Sequence, residues 1–225
     1  RYAKMVLHAA GLMAGQGAMI SWAAIHRRHH QMSDREGDPH SPNLVGSGLK
    51  ESVKGIAHSH FTWMMKHEYP NVLHYVPDLI KDKDAAWLDK HYTKIFLLGL
   101  LIPMLVSGLY FHSVAAAFNG LLIGGLLRLV VLGHTIWAIN SFLHRFGAIH
   151  YDSKDKSHNS AVLALFSFGE AWHNNHHAFP GSAAFGLKWY QIDFGYYLIK
   201  TLEFFNLAYD VKRPKETSLA RSYHG

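Results

Sequence analysis

Residues 95–139 read IFLLGLLIPMLVSGLYFHSVAAAFNGLLIGGLLRLVVLGHTIWAI, and they decide the fold. The first stretch, 95–111, has no charged residue; the second, 114–139, has one, Arg128. Each is about long enough to cross a hydrocarbon layer of ~30 Å as a helix. Only a short connection around His112 and Ser113 separates them. This pattern predicts a hairpin of two transmembrane helices, in which Pro103 and the glycines are tolerated. A pair of buried helices in a large soluble protein is the alternative. Arg128 is costly in lipid and is expected to face protein or headgroups.

Working outward, positive charge other than Arg128 lies in the flanks. Lys50, Lys54, Lys66, Lys81, Lys83, Lys90 and Lys94 precede the hairpin, while Arg145, Lys154, Lys156, Lys188, Lys200, Lys212 and Arg213 follow it. The connection carries no Lys or Arg, so the positive-inside rule places both flanks in the cytoplasm. The expected fold is all-α: an integral membrane helical hairpin with a cytoplasmic helical cap. The chain reads as one domain over 1–225, with cytoplasmic helices over 1–94, the hairpin over 95–139 and a second cytoplasmic region over 140–225.

Within the flanks, residues 2–30 read as one helix. MSDREGDPHSPN (32–43) and YDSKDKSHNS (151–160) read as polar loops. Residues 48–70 have helical periodicity and stop at Pro70. Residues 190–209 form an amphipathic or interfacial helix candidate.

Composition limits the chemistry. The 225 residues include 19 histidines and no cysteine, with a formal net charge of +6. Thiolate zinc sites, disulfides and cysteine-held iron–sulfur clusters are excluded. The positive balance suits an anionic partner or membrane surface. The chain starts at Arg1 without a signal peptide pattern, and is expected to be part of something longer or a processed form.

The histidines are not scattered. HRRHH at 26–30 and HNNHH at 173–177 share the spacing H-x-x-H-H. On a helix, positions i, i+3 and i+4 share a face. Three imidazoles from one helix cannot readily bind one ion, but they can divide between two adjacent ions. His26, His29, His30, His173, His176 and His177 are therefore candidate ligands of a dinuclear metal site. NSFLH at 140–144 adds His144 as a further ligand, and Asn140, one turn earlier, as a residue that holds water or supports a ligand. Glu170, three before His173, is a candidate to hold that imidazole through its other nitrogen, with surface solvation as the alternative. Imidazole suits zinc, copper, iron and nickel alike. The two E-x-x-H motifs of the soluble ferritin-like type do not occur: Glu170 and His173 give that spacing only once.

HRRHH, NSFLH and GEAWHNNHH, in this order around a membrane hairpin, resemble the membrane-bound fatty acid desaturases, most closely the stearoyl delta-nine type. DPHSP (38–42), SHFTW (59–63), AFP (178–180) and LAYDVKRP (207–214) extend the likeness over nearly the whole chain. That family has an earlier box, H-x-x-x-x-H, which these residues lack, so the chain is expected to correspond to the C-terminal two-thirds of a desaturase. The resemblance implies O2-dependent removal of two hydrogens from a long acyl chain at a centre of two iron ions, with zinc as a possible substitute. It also implies a substrate carried on coenzyme A, carrier protein or lipid, and an external donor, a ferredoxin or small cytochrome, docking on the cytoplasmic face. His40 and His60 match family positions but are not expected to touch metal. Hydroxylation by the same superfamily's chemistry, and a non-catalytic metal-binding membrane protein, are the alternative readings.

Overall fold

The computed structural model describes residues 1–66 and 68–223, with the side chain of residue 221 left aside. Among the described residues it is helical throughout, with no strand beyond two isolated bridges. In chain order the elements are α1 (Tyr2–Met13), α2 (Met19–Met32), α3 (Leu49–His60), α4 (Val72–Tyr75), α5 (Pro77–Lys81), α6 (Lys83–Lys90) and α7 (Tyr92–Tyr110). There follow α8 (Val114–Phe142), α9 (Ala161–Phe166), α10 (His173–Ala178), α11 (Phe194–Phe204) and α12 (Glu216–Ser222). They fall into two compact units: Arg1–Arg28 with Glu68–His134, and His29–His67 with Thr135–Gly225.

The first unit contains the hairpin. α7 and α8, of 19 and 29 residues, are long and apolar enough to cross a membrane; α7 starts three residues before the expected stretch and ends one short of it, and α8 runs three residues past its expected end. Ser113 caps α8 by accepting from the amide of Ala116. The two helices run antiparallel in close register. A Cβ added to Gly120 would lie 2.4 Å from the Pro103 carbonyl oxygen, and one added to Gly124 would lie 2.6 Å from Pro103 Cβ. Small residues spaced by four thus let the backbones approach, and the stretch Gly120–Leu127 is wound as a π-helix. Arg128 faces protein, as expected. Its guanidinium donates to the carbonyls of Gly124 (2.9 Å), Met13 (3.0 Å) and Gly99 (3.2 Å).

Residues 2–30 are not one helix, which corrects the expectation. The chain breaks between Met13 and Met19, where Gly15 and Gly17 adopt φ of +75° and +106°. The break reads AGQGA; glycine tolerates the left-handed region, and Gly15 sits where a Cβ would meet Leu129 at 2.9 Å. α2 restarts with the Asp89 carboxylate accepting from the Ile20 amide at 2.8 Å. Leu12, Leu88 and Ile95 form the core that ties α1 and α6 to the base of α7.

The second unit is built around the end of α8. Ile139 and Leu143 pack against Ala164 of α9 and against Ala171 and Trp172 just before α10. A second core joins Tyr151, Ala184 and Leu187 to Tyr196 of α11. Residues 151–160 lack helix, as expected; Ser160 then caps α9 and Asp193 caps α11.

Candidate metal centre

Six of the seven histidines proposed as ligands sit on two helices, and the second unit brings six of the seven together. His29, His144, His173 and His177 are all buried and offer ring nitrogens that lie within 4.8 Å of one another. His144 Nε2 and His173 Nε2 are 3.1 Å apart, and His30 Nε2 and His176 Nε2 are 2.8 Å apart. The H-x-x-H-H runs divide as the spacing suggested. From α2, His29 joins the first group and His30 pairs with His176. From α10, His173 and His177 join the first group and His176 the second. His26 belongs to the first unit; it stands one turn before His30 on α2, its ring stacked on Trp22 at 4.8 Å.

Carboxylates hold the outer nitrogens. His29 Nδ1 donates to Asp38 at 2.9 Å, His144 Nδ1 to Asp34 at 2.9 Å and His177 Nδ1 to Asp155 at 2.6 Å. Each bond fixes the tautomer and leaves Nε2 as the lone-pair nitrogen facing the cluster. Asp34 is itself anchored by Ser41 (2.6 Å), Asn43 (2.7 Å) and the Lys156 amide (2.9 Å). Asp155 also accepts from Ser153 and Ser157, at 2.7 and 2.6 Å. The two loops that sequence marked as polar connections therefore carry the supports of the site.

The asparagines within HNNHH fix α10, which has only six residues. Asn174 accepts from the amides of His150 and Tyr151, both at 2.9 Å, and donates to the Tyr151 carbonyl at 2.9 Å. Asn175 donates to the Phe185 carbonyl (2.7 Å) and to Gln191 (2.9 Å).

Electrostatics match the geometry. Burial, reinforced by neighbouring imidazoles, holds His173 and His177 well below the ordinary histidine pKa. Burial likewise lowers His30 to about 4. All three are neutral near pH 7, as metal ligands must be. Burial pushes the Asp34 carboxyl up, but its hydrogen bonds from His144, Asn43 and Ser41 outweigh that and hold it well below the usual carboxylate range. Asp155 is also lowered: bonds from Ser157 and Ser153 outweigh its burial.

Two expectations shift. The Glu170 carboxylate makes no hydrogen bond to His173; the imidazoles held by carboxylates are His144, His29 and His177, by Asp34, Asp38 and Asp155. Asn140 is half-buried one turn before His144 and makes no side-chain hydrogen bond among the described residues. His40 is closer to the cluster than sequence suggested. Its ring lies 4.1 Å from that of His29, and with Asp38 and His29 it forms a third group of possible donors. His60 donates to or accepts from Ser141 at 3.0 Å, away from the cluster's nitrogens.

The residues fit bound metal. Two nitrogens each about 2 Å from one ion are separated by about 3 Å, close to the two Nε2 pairs seen here. His177 Nε2 is buried without a hydrogen-bond partner, although its Nδ1 is satisfied. A buried polar atom in that state asks for an unseen partner.

The comparisons with known proteins agree. Residues 1–212 match the fatty acid desaturase family profile. The chain is 48% identical over 212 residues to the hex-5-enoyl-[acyl-carrier protein] acetylenase of Moorena producens, covering 93% of this chain and 66% of that protein. It is 35% identical to the sn-1 stearoyl-lipid 9-desaturase of Synechocystis sp., covering 93% and 61%. It is 36% identical to the Delta-9 acyl-lipid desaturase 1 of Arabidopsis thaliana, covering 94% and 64%. The chain thus spans somewhat under two thirds of the length of these relatives. A match over residues 1–212 shows that the chain belongs to the fatty acid desaturase family.

Proposed function

We propose that this protein is an O2-dependent fatty acyl desaturase that places a cis double bond, at the delta-nine position, in a long acyl chain. The observation that supports it is the buried group of four imidazoles, three of them held by Asp34, Asp38 and Asp155, with His30 and His176 paired beside it, in a chain of this family. Two ions would be held: one by His29, His144, His173 and His177, the other by His30 and His176, with His26 as a further ligand from the same helix. Iron, when bound there, supplies the redox power that side-chain acids and bases lack for breaking an unactivated C–H bond. In the overall reaction the acyl chain loses two hydrogens and O2 becomes two waters. The acyl chain supplies two of the four electrons, and an external ferredoxin or small cytochrome supplies the other two.

The chain's own groups do the positioning. The carboxylates keep Nδ1 protonated and Nε2 turned inward. Burial keeps the imidazoles neutral and excludes bulk water, and Asn174 and Asn175 hold α10 in place. The charge pattern around the hairpin puts the site on the cytoplasmic side, where the Lys and Arg flanks can steer an acidic donor. The substrate is an acyl group on a lipid or a thioester carrier, the two forms that the relatives' names record.

The test is His176→Ala in the protein expressed in a host supplied with iron and a competent donor. The expected result is loss of at least ~100-fold in unsaturated product, as for removal of a metal ligand or its support, with membrane insertion unchanged. Insertion depends on α7 and α8, which the change does not touch. Hydroxylated chains from the wild type would move the assignment to a hydroxylase. Unaltered lipids would move it to a metal-binding protein. Undiminished double bonds from His176→Ala would show the ligand assignment to be wrong.

A further inference from the structure

Two helices of the second unit carry apolar side chains on the wrong face. In α11 the exposed positions Phe194, Tyr197, Leu198 and Thr201 follow the spacing i, i+3, i+4, i+7. Three are apolar or aromatic, and Thr201, the one hydroxyl of the four besides Tyr197's, is turned back onto the Tyr197 carbonyl at 2.9 Å. The opposite face is covered: Tyr196 packs on the core of Tyr151, Ala184 and Leu187. In α9, Ala164 is buried while Val162, Leu165 and Phe166 are exposed. Phe168, 67% exposed, joins the two faces through its ring contact with Phe194 at 6.0 Å. A soluble surface inverts this pattern, placing polar residues outward at helical spacing. A contiguous apolar face of this kind marks an interaction surface.

What covers it follows from its attachment to α8. That helix has 29 residues, a length of about 43 Å, which matches a bilayer of about 40–45 Å with its headgroups included. Its C-terminal end therefore falls in the headgroup layer. α9 is packed on that end through Ala164 against Ile139 and Leu143. A basic side chain borders the aromatic surface: Lys200, paired with Glu203, lies one turn beyond Tyr197 on α11. Aromatic rings with flanking cations are what the membrane interface selects.

We propose that α9, Phe168 and α11 form a membrane-embedded surface that lies in the interface of the lipid bilayer, a second attachment of the metal-binding unit beyond the hairpin. It does not depend on the reaction the protein performs.

The chain has no cysteine, so single-cysteine variants carry one label without background. Leu165→Cys, Phe168→Cys and Leu198→Cys, each spin-labelled in the whole chain and reconstituted in phosphatidylcholine vesicles, are compared with Leu105→Cys on α7 and Lys215→Cys. The expected result is that O2 collisions exceed those with a water-soluble nickel chelate several-fold at 165, 168 and 198, as at 105, and that the ratio reverses at 215. Nickel accessibility equal to that at 215 would overturn the proposal. So would exclusion of both reagents with spin–spin broadening, which would assign the face to a second copy. The unaltered chain gives an independent reading: photoactivated phosphatidylcholine should label peptides covering 161–168 and 194–204, and their absence among labelled peptides overturns the proposal.

Discussion

At the scale of single residues, the carboxylates behind the imidazoles are the sharpest test of the site. Asp155→Ala removes the acceptor for His177 Nδ1, freeing the ring to change tautomer. Metal affinity should fall about 10–100-fold, the usual cost of losing such a support, read by competition with a chelator. Glu170→Gln, which alters a carboxyl bonded to no imidazole, should leave affinity unchanged. Equal losses from both changes would show that Asp155 acts through general charge. The histidines were legible because ligand spacing repeats along one helix. The carboxylates were not, because Asp155 meets a ligand 22 residues away and Asp34 one 110 residues away, and both lie in stretches where Asp also reads as a turn former. The same imidazoles set a pH dependence for the metal-free protein. His30 titrates at about 4 in the fold and near 6.5 when unfolded. Between those values the unfolded chain binds more protons, so stability is full above about 6.5 and is lost as pH falls toward 4. His173 and His177, lowered further by burial, add the same sign. Thermal midpoints across this range should fall with acidification, and a flat profile would mean the rings are not buried as neutral groups.

At the scale of elements, the hairpin was legible because lipid leaves the backbone no alternative to helix, so length and hydropathy suffice. The closeness of its packing was not, since it depends on which glycines face the partner helix. Gly120 faces Pro103 and Ser107, with a built Cβ 2.4 Å and 2.7 Å from their atoms. Gly120→Ile should push α7 and α8 apart and cost about 1–3 kcal/mol, the range for overpacking, seen as a lower thermal midpoint in detergent. Gly11→Ala, at a helical glycine with open space around it, should be neutral or slightly stabilising. If both changes behave alike, the contact with Pro103 does not hold the hairpin. The break between α1 and α2 was missed for a related reason. Residues 14–18 read AGQGA, and the two glycines are a break signal that the apolar residues on either side mask; the positive φ of Gly15 and Gly17 shows that the chain turns there.

At the scale of the whole molecule, the metal groups draw on segments that are remote in sequence. His30 and His176 are 146 residues apart, and His144 and His173 are 29 apart. Bound metal stabilises only the fold that brings these nitrogens together. At an ion concentration 1,000 times the dissociation constant that is about 4 kcal/mol. The hairpin has no such dependence, because its helices are held by Pro103, Ser107 and the glycines facing them, and by the surrounding lipid. Chelation should therefore act unevenly. Hydrogen exchange in the metal-loaded and stripped protein, compared in the same vesicles, should show faster exchange after stripping in residues 29–43 and 144–178. These segments hold every ligand of the second unit and all three carboxylates. Residues 95–110 and 114–133 should exchange as slowly as before. Metal identity should leave this pattern alone, since zinc and iron both accept imidazole, while the proposed desaturation should follow iron content and not zinc. Uniform loosening of both regions would mean that the hairpin and the metal-binding unit stand or fall together. No change in 29–43 and 144–178 would mean that hydrogen bonds from Asp34, Asp38, Asp155, Asn174 and Asn175 alone build the cluster.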